Sequence, residues 1–268
     1  MRISRREFIK TGVKTIVGVA VVSSIPALLK SFTASAKSPT GVYDWEKHYW
    51  GFVVDNEKCI GCGRCVVACK LENKVAWDPQ YNRTWVERYV ITEEDKVLVD
   101  SPNAGRDGFA RYPLEAKYGK LDIRKSFFVP KLCNHCDNPP CVTVCPVGAT
   151  YKTEDGVILV DQDHCIGCRY CIQACPYGAR YVVPDVESTP TGQVHVVDKC
   201  TWCYHRITKG LLPACVEACP VGARVFGDLQ DPASPVRKIL DQQHVYTLKP
   251  ELGTEPKVYY IGFEKGVY

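Results

Sequence analysis

Sixteen cysteines in four groups of four constrain this 268-residue chain more than any hydrophobic pattern does. They stand at Cys59, Cys62, Cys65 and Cys69; at Cys133, Cys136, Cys141 and Cys145; at Cys165, Cys168, Cys171 and Cys175; and at Cys200, Cys203, Cys215 and Cys219. None is left over, so the cysteine sets organise the fold. The groups are also repeats. Three exits read CPVGATY from Cys145, CPYGARY from Cys175 and CPVGARV from Cys219. The entrances VVDNEKCIGC and LVDQDHCIGC match each other, and HVVDKCTWC is a shorter relative. β-Branched runs at 52–54, 157–160 and 194–197 predict strands ahead of the cysteines. The stretch KTEDG, with Gly156, predicts a hairpin turn. The implied unit is a strand, a thiol-bearing loop, a short helical turn containing the fourth cysteine, and a return strand.

The spacing then names the chemistry. Residues 165–176 read C-x2-C-x2-C-x3-C-P, the run that holds iron–sulfur clusters in bacterial ferredoxins. Three thiolates spaced by two residues wrap one corner of a cubane, and the fourth points to a neighbouring one. Gly61 and Gly167 let the backbone pass close between ligands. Pro176, lacking an N–H, restricts Cys175 to extended geometry and ends the loop. Disulfides need no such triplets, and neighbours this close rarely form relaxed bridges. Zinc suits two C-x2-C pairs and fits the fourth group taken alone, yet that group also ends in CPVGA.

Because the fourth cysteine serves a neighbour, the groups should exchange ligands in pairs. The second and third are joined by one hairpin, and the first and fourth pair by elimination. The expected first set is Cys59, Cys62, Cys65 with Cys219, and the second is Cys133, Cys136, Cys141 with Cys175. The third is Cys165, Cys168, Cys171 with Cys145, and the fourth is Cys200, Cys203, Cys215 with Cys69. All sixteen positions are cysteine, so the cofactors expected are four 4Fe–4S clusters and no 3Fe–4S site. The fold class expected is α+β, with tandem ferredoxin-like lobes formed by two pseudo-symmetric pairs of cluster-binding loops. Its boundaries are a first unit at 50–79, an insertion at 80–123, units at 124–155 and 156–185, the fourth group at 194–224, and a C-terminal extension at 225–268. The insertion either covers the cluster core, docks a partner, or merely elaborates the surface. Within the extension a helix is expected near 236–242 and a loop plus strand at the end.

Charge adds an address. The formal charge is +4, but residues 1–36 hold six Lys or Arg and one acid, which leaves 28 basic and 29 acidic residues beyond them. A near-neutral remainder gives no case for nucleic-acid binding. The N-terminus reads Ser4-Arg5-Arg6-Glu7-Phe8-Ile9-Lys10, then a weakly apolar run, then Ala34-Ser35-Ala36. This resembles a twin-arginine (Tat) signal cleaved before Lys37, with Ile9 where Leu is usual. The alternatives are a retained anchor, which Lys14, Gly18, Ser23, Ser24 and Pro26 weaken, and an uncut tail that does not span the bilayer. Tat carries folded proteins, so cofactors enter in the reducing cytoplasm before thiols meet oxidant. The periplasm is the expected location.

Bound clusters are net negative. Lys58, Arg64, Lys131, Arg169, Lys199 and Arg206 flank ligand cysteines and are candidates for offsetting that charge, the alternative being solvated surface. His135, between two ligands of a complete set, reads as structural, and Trp202 as a shield for the clusters.

At CNHCDNPPCVTVCPVGA (133–149) and KCTWCYHRITKGLLPACVEACPVGA (199–223) the chain resembles the iron–sulfur subunits of the DMSO, polysulfide and tetrathionate reductase type. It is similar also to the iron–sulfur protein of the formate-dependent nitrite reductase pathway. The likeness extends to CKLEN after the first group and LKPELGTEPKVYY near the end, and Lys70 in place of proline fits this family's first group. The resemblance implies a two-lobed, four-cluster wire and two partners, a molybdopterin-dependent (Mo or W) catalytic subunit and an integral membrane subunit that exchanges electrons with quinone. No nucleophile elbow, phosphate loop or paired acid–base site is present, so no catalytic residues are expected in the chain itself. An electron carrier in a quinol-to-cytochrome c pathway and a freestanding periplasmic polyferredoxin are the alternatives.

Overall fold

The computed structural model describes residues 43–185 and 192–263. The export signal expected over 1–36 lies outside the described residues. In chain order the elements are β1 (Trp50–Asp55), α1 (Arg64–Asn73), β2 (Thr84–Thr92), β3 (Val97–Asp100), α2 (Leu114–Tyr118) and β4 (Ile123–Leu132). Then come α3 (Pro140–Thr143), β5 (Thr150–Lys152), β6 (Ile158–Val160), α4 (Tyr170–Gln173), β7 (Arg180–Val182) and β8 (Val197–Lys199). The last are α5 (Tyr204–Ile207), α6 (Ala214–Glu217), β9 (Arg224–Asp228), α7 (Pro235–Gln242) and β10 (Val258–Ile261). Strands group as β10-β1-β9, β3-β2-β4, β5-β6 and β7-β8. Mixed helix and strand content fits an α+β fold.

A strand leads into every cysteine loop, and short strands lead out of the second, third and fourth. β5 and β6 form the antiparallel hairpin expected at KTEDG, with Gly156 at φ 82° in its turn. β7 and β8 form a second pair, which connects the third loop's exit to the fourth loop's entrance. β1 lies antiparallel to β9 and parallel to β10, in register Val53↔Val225 and Val53↔Tyr259. That sheet brings the first and fourth groups together across most of the chain's length. Between them Phe52, Trp202, Phe226, Val258 and Tyr260 pack into one buried core.

The matching entrances share a physical device. Asp55 accepts the backbone N–H groups of Glu57 and Lys58 at 3.1 and 3.2 Å, and Asp161 those of Asp163 and His164 at 3.0 and 3.2 Å. Each is an Asx turn that swings the strand into the loop. The shorter entrance, in which the aspartate stands two residues closer to its cysteine, uses Asp198 otherwise. There the carboxylate accepts two bonds from Arg83, at 2.8 and 2.9 Å.

One expectation needs correction. The short helices α3, α4 and α6 carry the third cysteine of each group, Cys141, Cys171 and Cys215, and end before the fourth. A residue before proline is pushed out of the α region, and Pro146, Pro176 and Pro220 follow the fourth cysteines directly. In the first group Lys70 stands in that place, and α1 runs on for ten residues through both Cys65 and Cys69. Lys70 is buried, and its ammonium donates to the carbonyls of Ala76, Asp78 and Tyr81 at 2.6, 3.3 and 2.6 Å.

The insertion covers the thiol core. β2 and β4 pair from Thr84↔Leu132 to Thr92↔Ile123, with an irregularity at Ile91/Thr92, and β4 runs directly into Cys133. Val86 and Pro130 from this sheet line the cavity of the first thiol set. α7 and β10 lie where the extension was expected to hold a helix and a strand. Among the described residues no helix is long and apolar enough to cross a membrane.

Candidate metal centres

Each Cys-x-x-Cys gap turns on its second residue. That residue has positive φ in all four loops: 63° at Gly61, 68° at Gly167, 42° at His135 and 51° at Trp202. Glycine adopts this conformation freely, and in the first and third loops nothing else fits. A Cβ on Gly61 would lie 2.7 Å from the Phe128 ring, and one on Gly167 would lie 2.5 Å from the His195 carbonyl. In the second and fourth loops two large side chains accept the left-handed backbone. Their rings stack on each other, 4.0 Å between centroids with planes at 27°.

The loops bring most of the thiols together in sets. Cys59, Cys62, Cys65 and Cys219 line one cavity. Cys69 lies within electrostatic range of Cys200, Cys203 and Cys215, and Cys136 within range of Cys133, Cys141 and Cys175. In the third set Cys171 and Cys165 are in range of each other. Cys168 is exposed, and Cys145 takes its strongest hydrogen bonds from its own exit loop, including Thr150 N–H at 3.4 Å. All sixteen are free thiols. Among the described residues no three His, Cys, Asp or Glu side chains converge enough to hold a single metal ion. A tetrahedral zinc with bonds of about 2.3 Å demands that convergence.

The sets adjoin in series. Cys65 of the first is in range of Cys215 of the fourth, Cys200 of the fourth is in range of Cys133 of the second, and Cys141 of the second is in range of Cys171 of the third. The two sets at the ends each have one exposed thiol, Cys62 or Cys168, whereas seven of the eight thiols in the two middle sets are buried. Burial is the main cause that pushes the Cys59 thiol up to about 11, that of Cys136 to about 12, and those of Cys69 and Cys200 well above the ordinary thiol value. Free, these groups keep their protons at neutral pH, so loading with metal must expel them.

Buried cations supply the test of fit. Arg83, Arg88, Lys131 and Lys257 are buried and each pairs with a carboxylate, at 2.8, 2.7, 2.7 and 2.6 Å. Arg180, Lys199 and Arg224 are equally buried, at 5%, 0% and 2% exposure, and among the described residues none has a carboxylate partner. All three face thiols instead. Arg180 reaches the Cys141 sulfur at 2.9 Å, and the Nε and Nη1 of Arg224 have no hydrogen-bond acceptor. A buried charge without a counter-ion is costly. Anionic metal–thiolate groups held by these sets would provide the counter-charge, so the residues present fit 4Fe–4S clusters.

Sequence reasoning found one of these three cations. Of the six it singled out, only Lys199 faces the thiols. Lys58, Lys131 and Arg206 turn to Asp55, Glu87, and Glu72 with Glu217, while Arg64 and Arg169 are exposed. Arg180 and Arg224 went unnoticed, although both occupy the last position of the repeated CPxGAR exit. Asn73 was also missed: its amide lies 3.6 Å from the Cys69 sulfur and 3.7 Å from that of Cys203. His135 is structural, as expected. It is fully buried, its Nδ1 accepts the Ile158 N–H at 3.0 Å, and burial followed by the nearby Lys199 and Lys257 holds its pKa well below the ordinary value.

Two family models, each described as a 4Fe-4S dicluster domain, match residues 58–149 and 124–229 and together span all four cysteine groups. A tetrathionate reductase subunit of Salmonella typhimurium is 38% identical over 265 residues, covering 97% of this chain and 89% of its own. Its counterpart from Archaeoglobus fulgidus is 47% identical over 210 residues, 78% of this chain and 80% of its own. Protein NrfC of Escherichia coli is 35% identical over 265 residues, 98% of this chain and 97% of its own. A likeness of that extent, with the cysteine repeats inside it, makes this chain a member of the family of 4Fe–4S iron–sulfur subunits that includes these tetrathionate reductase components and NrfC.

Proposed function

We propose that the chain is a periplasmic four-cluster electron-transfer subunit, exported by the twin-arginine route. It links a membrane subunit that exchanges electrons with quinone to a molybdenum or tungsten bis(pterin) catalytic subunit. The observation that carries this reading is the series of four thiol sets, enclosed in the middle and reaching solvent at Cys62 and Cys168. A relay needs that layout, with contact at both ends and insulation between. Each 4Fe–4S cluster, when bound, supplies a site for one electron.

The chain's own residues do the rest. Cys59, Cys62, Cys65 and Cys219 hold one end, and Cys165, Cys168, Cys171 and Cys145 the other. Cys69, Cys200, Cys203 and Cys215 hold one middle site, and Cys133, Cys136, Cys141 and Cys175 the second. The first and fourth sets make one lobe and the second and third make its pseudo-symmetric mate. Trp202 and His135 close the junction and exclude water from it. N–H groups of the exit loops, such as Ala223 to the Cys219 sulfur at 3.3 Å, stabilise the thiolates. The family likeness supports a reductase partner, since relatives carry names of reductase subunits, and the quinone link draws on a relative named as an iron–sulfur subunit of a menaquinol oxidoreductase.

A second reading, a carrier in a quinol-to-cytochrome c nitrite reductase pathway, draws on the match to NrfC over nearly its whole length. Purification from native membranes with partners retained separates the two. About sixteen Fe per chain with near-stoichiometric Mo or W supports the pterin oxidoreductase. The same iron without Mo or W moves the assignment to the second reading, and zinc in place of iron defeats both. Replacing Arg5 and Arg6 by Lys should leave the protein in the cytoplasm, which fractionation would reveal.

A further inference from the structure

Lys70 is buried without a carboxylate partner and is held by three backbone carbonyls; the other three such cations, Arg180, Lys199 and Arg224, are not scattered. Arg224 lines the cavity of the first set beside Cys59 and Cys65 and lies within electrostatic range of Cys215 of the fourth. Lys199 lies within electrostatic range of Cys133 and Cys141 of the second set and Cys200 of the fourth, and its ammonium donates to the carbonyls of Ile158 and Cys200. Arg180 donates to the Cys141 sulfur of the second set at 2.9 Å and lies within electrostatic range of Cys133 of that set and Cys171 of the third. Four sets in series have three gaps, and each gap holds one buried cation. The placement follows from the fold. Arg180 and Arg224 open the return strands β7 and β9, and Lys199 closes β8 just before its loop begins.

We propose that Arg224, Lys199 and Arg180 are fixed counter-charges, one per gap, each setting the reduction potentials of the two thiol-held sites beside it. The inference rests on the four-cluster reading above. When a site accepts one electron it gains one negative charge, and passing that electron on oxidises it and reduces its neighbour. A cation between the two stabilises the electron on either side, so transfer across the gap changes its interaction little. Without it both flanking sites are harder to reduce. In a water-poor interior the effect is much larger than at the surface. These are positioning and tuning residues; none is a ligand. The gap cations also explain why three charges stay buried without a carboxylate, an arrangement that would otherwise be strongly destabilising.

The test is potentiometric titration of the anaerobically purified full chain, followed by electron paramagnetic resonance, with iron and sulfide measured first. Arg224→Gln, Lys199→Met and Arg180→Gln are each compared with the parent. Each should lower two of the four midpoints by about 59 mV, a tenfold shift in a one-electron equilibrium. Arg224→Gln and Arg180→Gln should shift disjoint pairs, and Lys199→Met should shift one member of each pair. Arg224→Lys and Arg180→Lys should restore the parent values. Midpoints unchanged in all variants, or four moving together in each, would overturn the proposal. So would loss of iron from all three neutral variants, which would mark the cations as assembly residues. If one variant alone loses iron, the other two still read out the pattern. A parent chain without iron would instead defeat the four-cluster reading itself.

Discussion

At the second residue of the Cys-x-x-Cys gap the first and third cysteine loops differ from the second and fourth, and the difference separates two kinds of site. All four need a left-handed residue in the Cys-x-x-Cys gap. The end loops use Gly61 and Gly167, which bring no side chain, and beside them Ile60 and Ile166 are 57% and 64% exposed. The middle loops use Trp202 and His135, which are 1% and 0% exposed and stack on each other between the two loops. A non-glycine residue in that conformation costs on the order of 1–3 kcal/mol, so the aromatic pair must return more than this in packing. The ends are built to be reached, and the middle is built to be sealed.

The comparison breaks first at Trp202. Its indole packs on His135 and edge-on against Phe226 at 5.5 Å. Trp202→Ala should cost about 3–5 kcal/mol, seen as a large fall in the thermal midpoint of the anaerobic protein. Ile166→Ala, at an exposed end-loop position, should change it by less than about 0.5 kcal/mol. Equal effects would mean that the middle is no more sealed than the ends.

Gly167→Ala should come next, at about 1–3 kcal/mol. The new Cβ meets the His195 carbonyl, which is backbone and cannot swing aside. Iron content should fall by about one cluster's worth, with the other three sites retained.

A smaller effect concerns pH. His135 stays neutral in the fold because burial, then Lys199 and Lys257, depress its pKa. Below about pH 6.5 the unfolded chain takes up a proton there that the folded chain does not. The depressed folded value therefore contributes stability above that pH, and this stability is lost as pH falls towards it, by up to about 1.4 kcal/mol per unit. His135→Asn, which tolerates the left-handed backbone, should flatten this acid limb while lowering stability at neutral pH. An unchanged slope would show that the stacked ring titrates freely.

Much of this was legible in the chain. The cysteine spacing and the KTEDG hairpin follow from local rules acting on repeats, and the pairing of the first and fourth groups follows by elimination. The helix ends were legible too, in the proline after each fourth cysteine and the lysine after Cys69, but the helical turn was placed one cysteine too late. What local sequence hides is the destination of long side chains. Lys131 and Arg206 sit beside cysteines in sequence and swing to carboxylates in space, whereas Arg180 and Arg224, five residues past theirs, turn back to the thiols. The Trp202–His135 stack joins residues from two separate loops, and no pattern within either one announces it.

The most direct measurement is the release of iron from the anaerobic, purified chain to a strong chelator, with total iron and zinc determined at the end. Four sites in series, sealed in the middle, should give about sixteen Fe in two phases of similar size. The fast phase should come from the ends at Cys62 and Cys168, and the slow one from the sites behind Trp202 and His135. Release in a single phase, a total near half that value, or zinc in place of iron would contradict it.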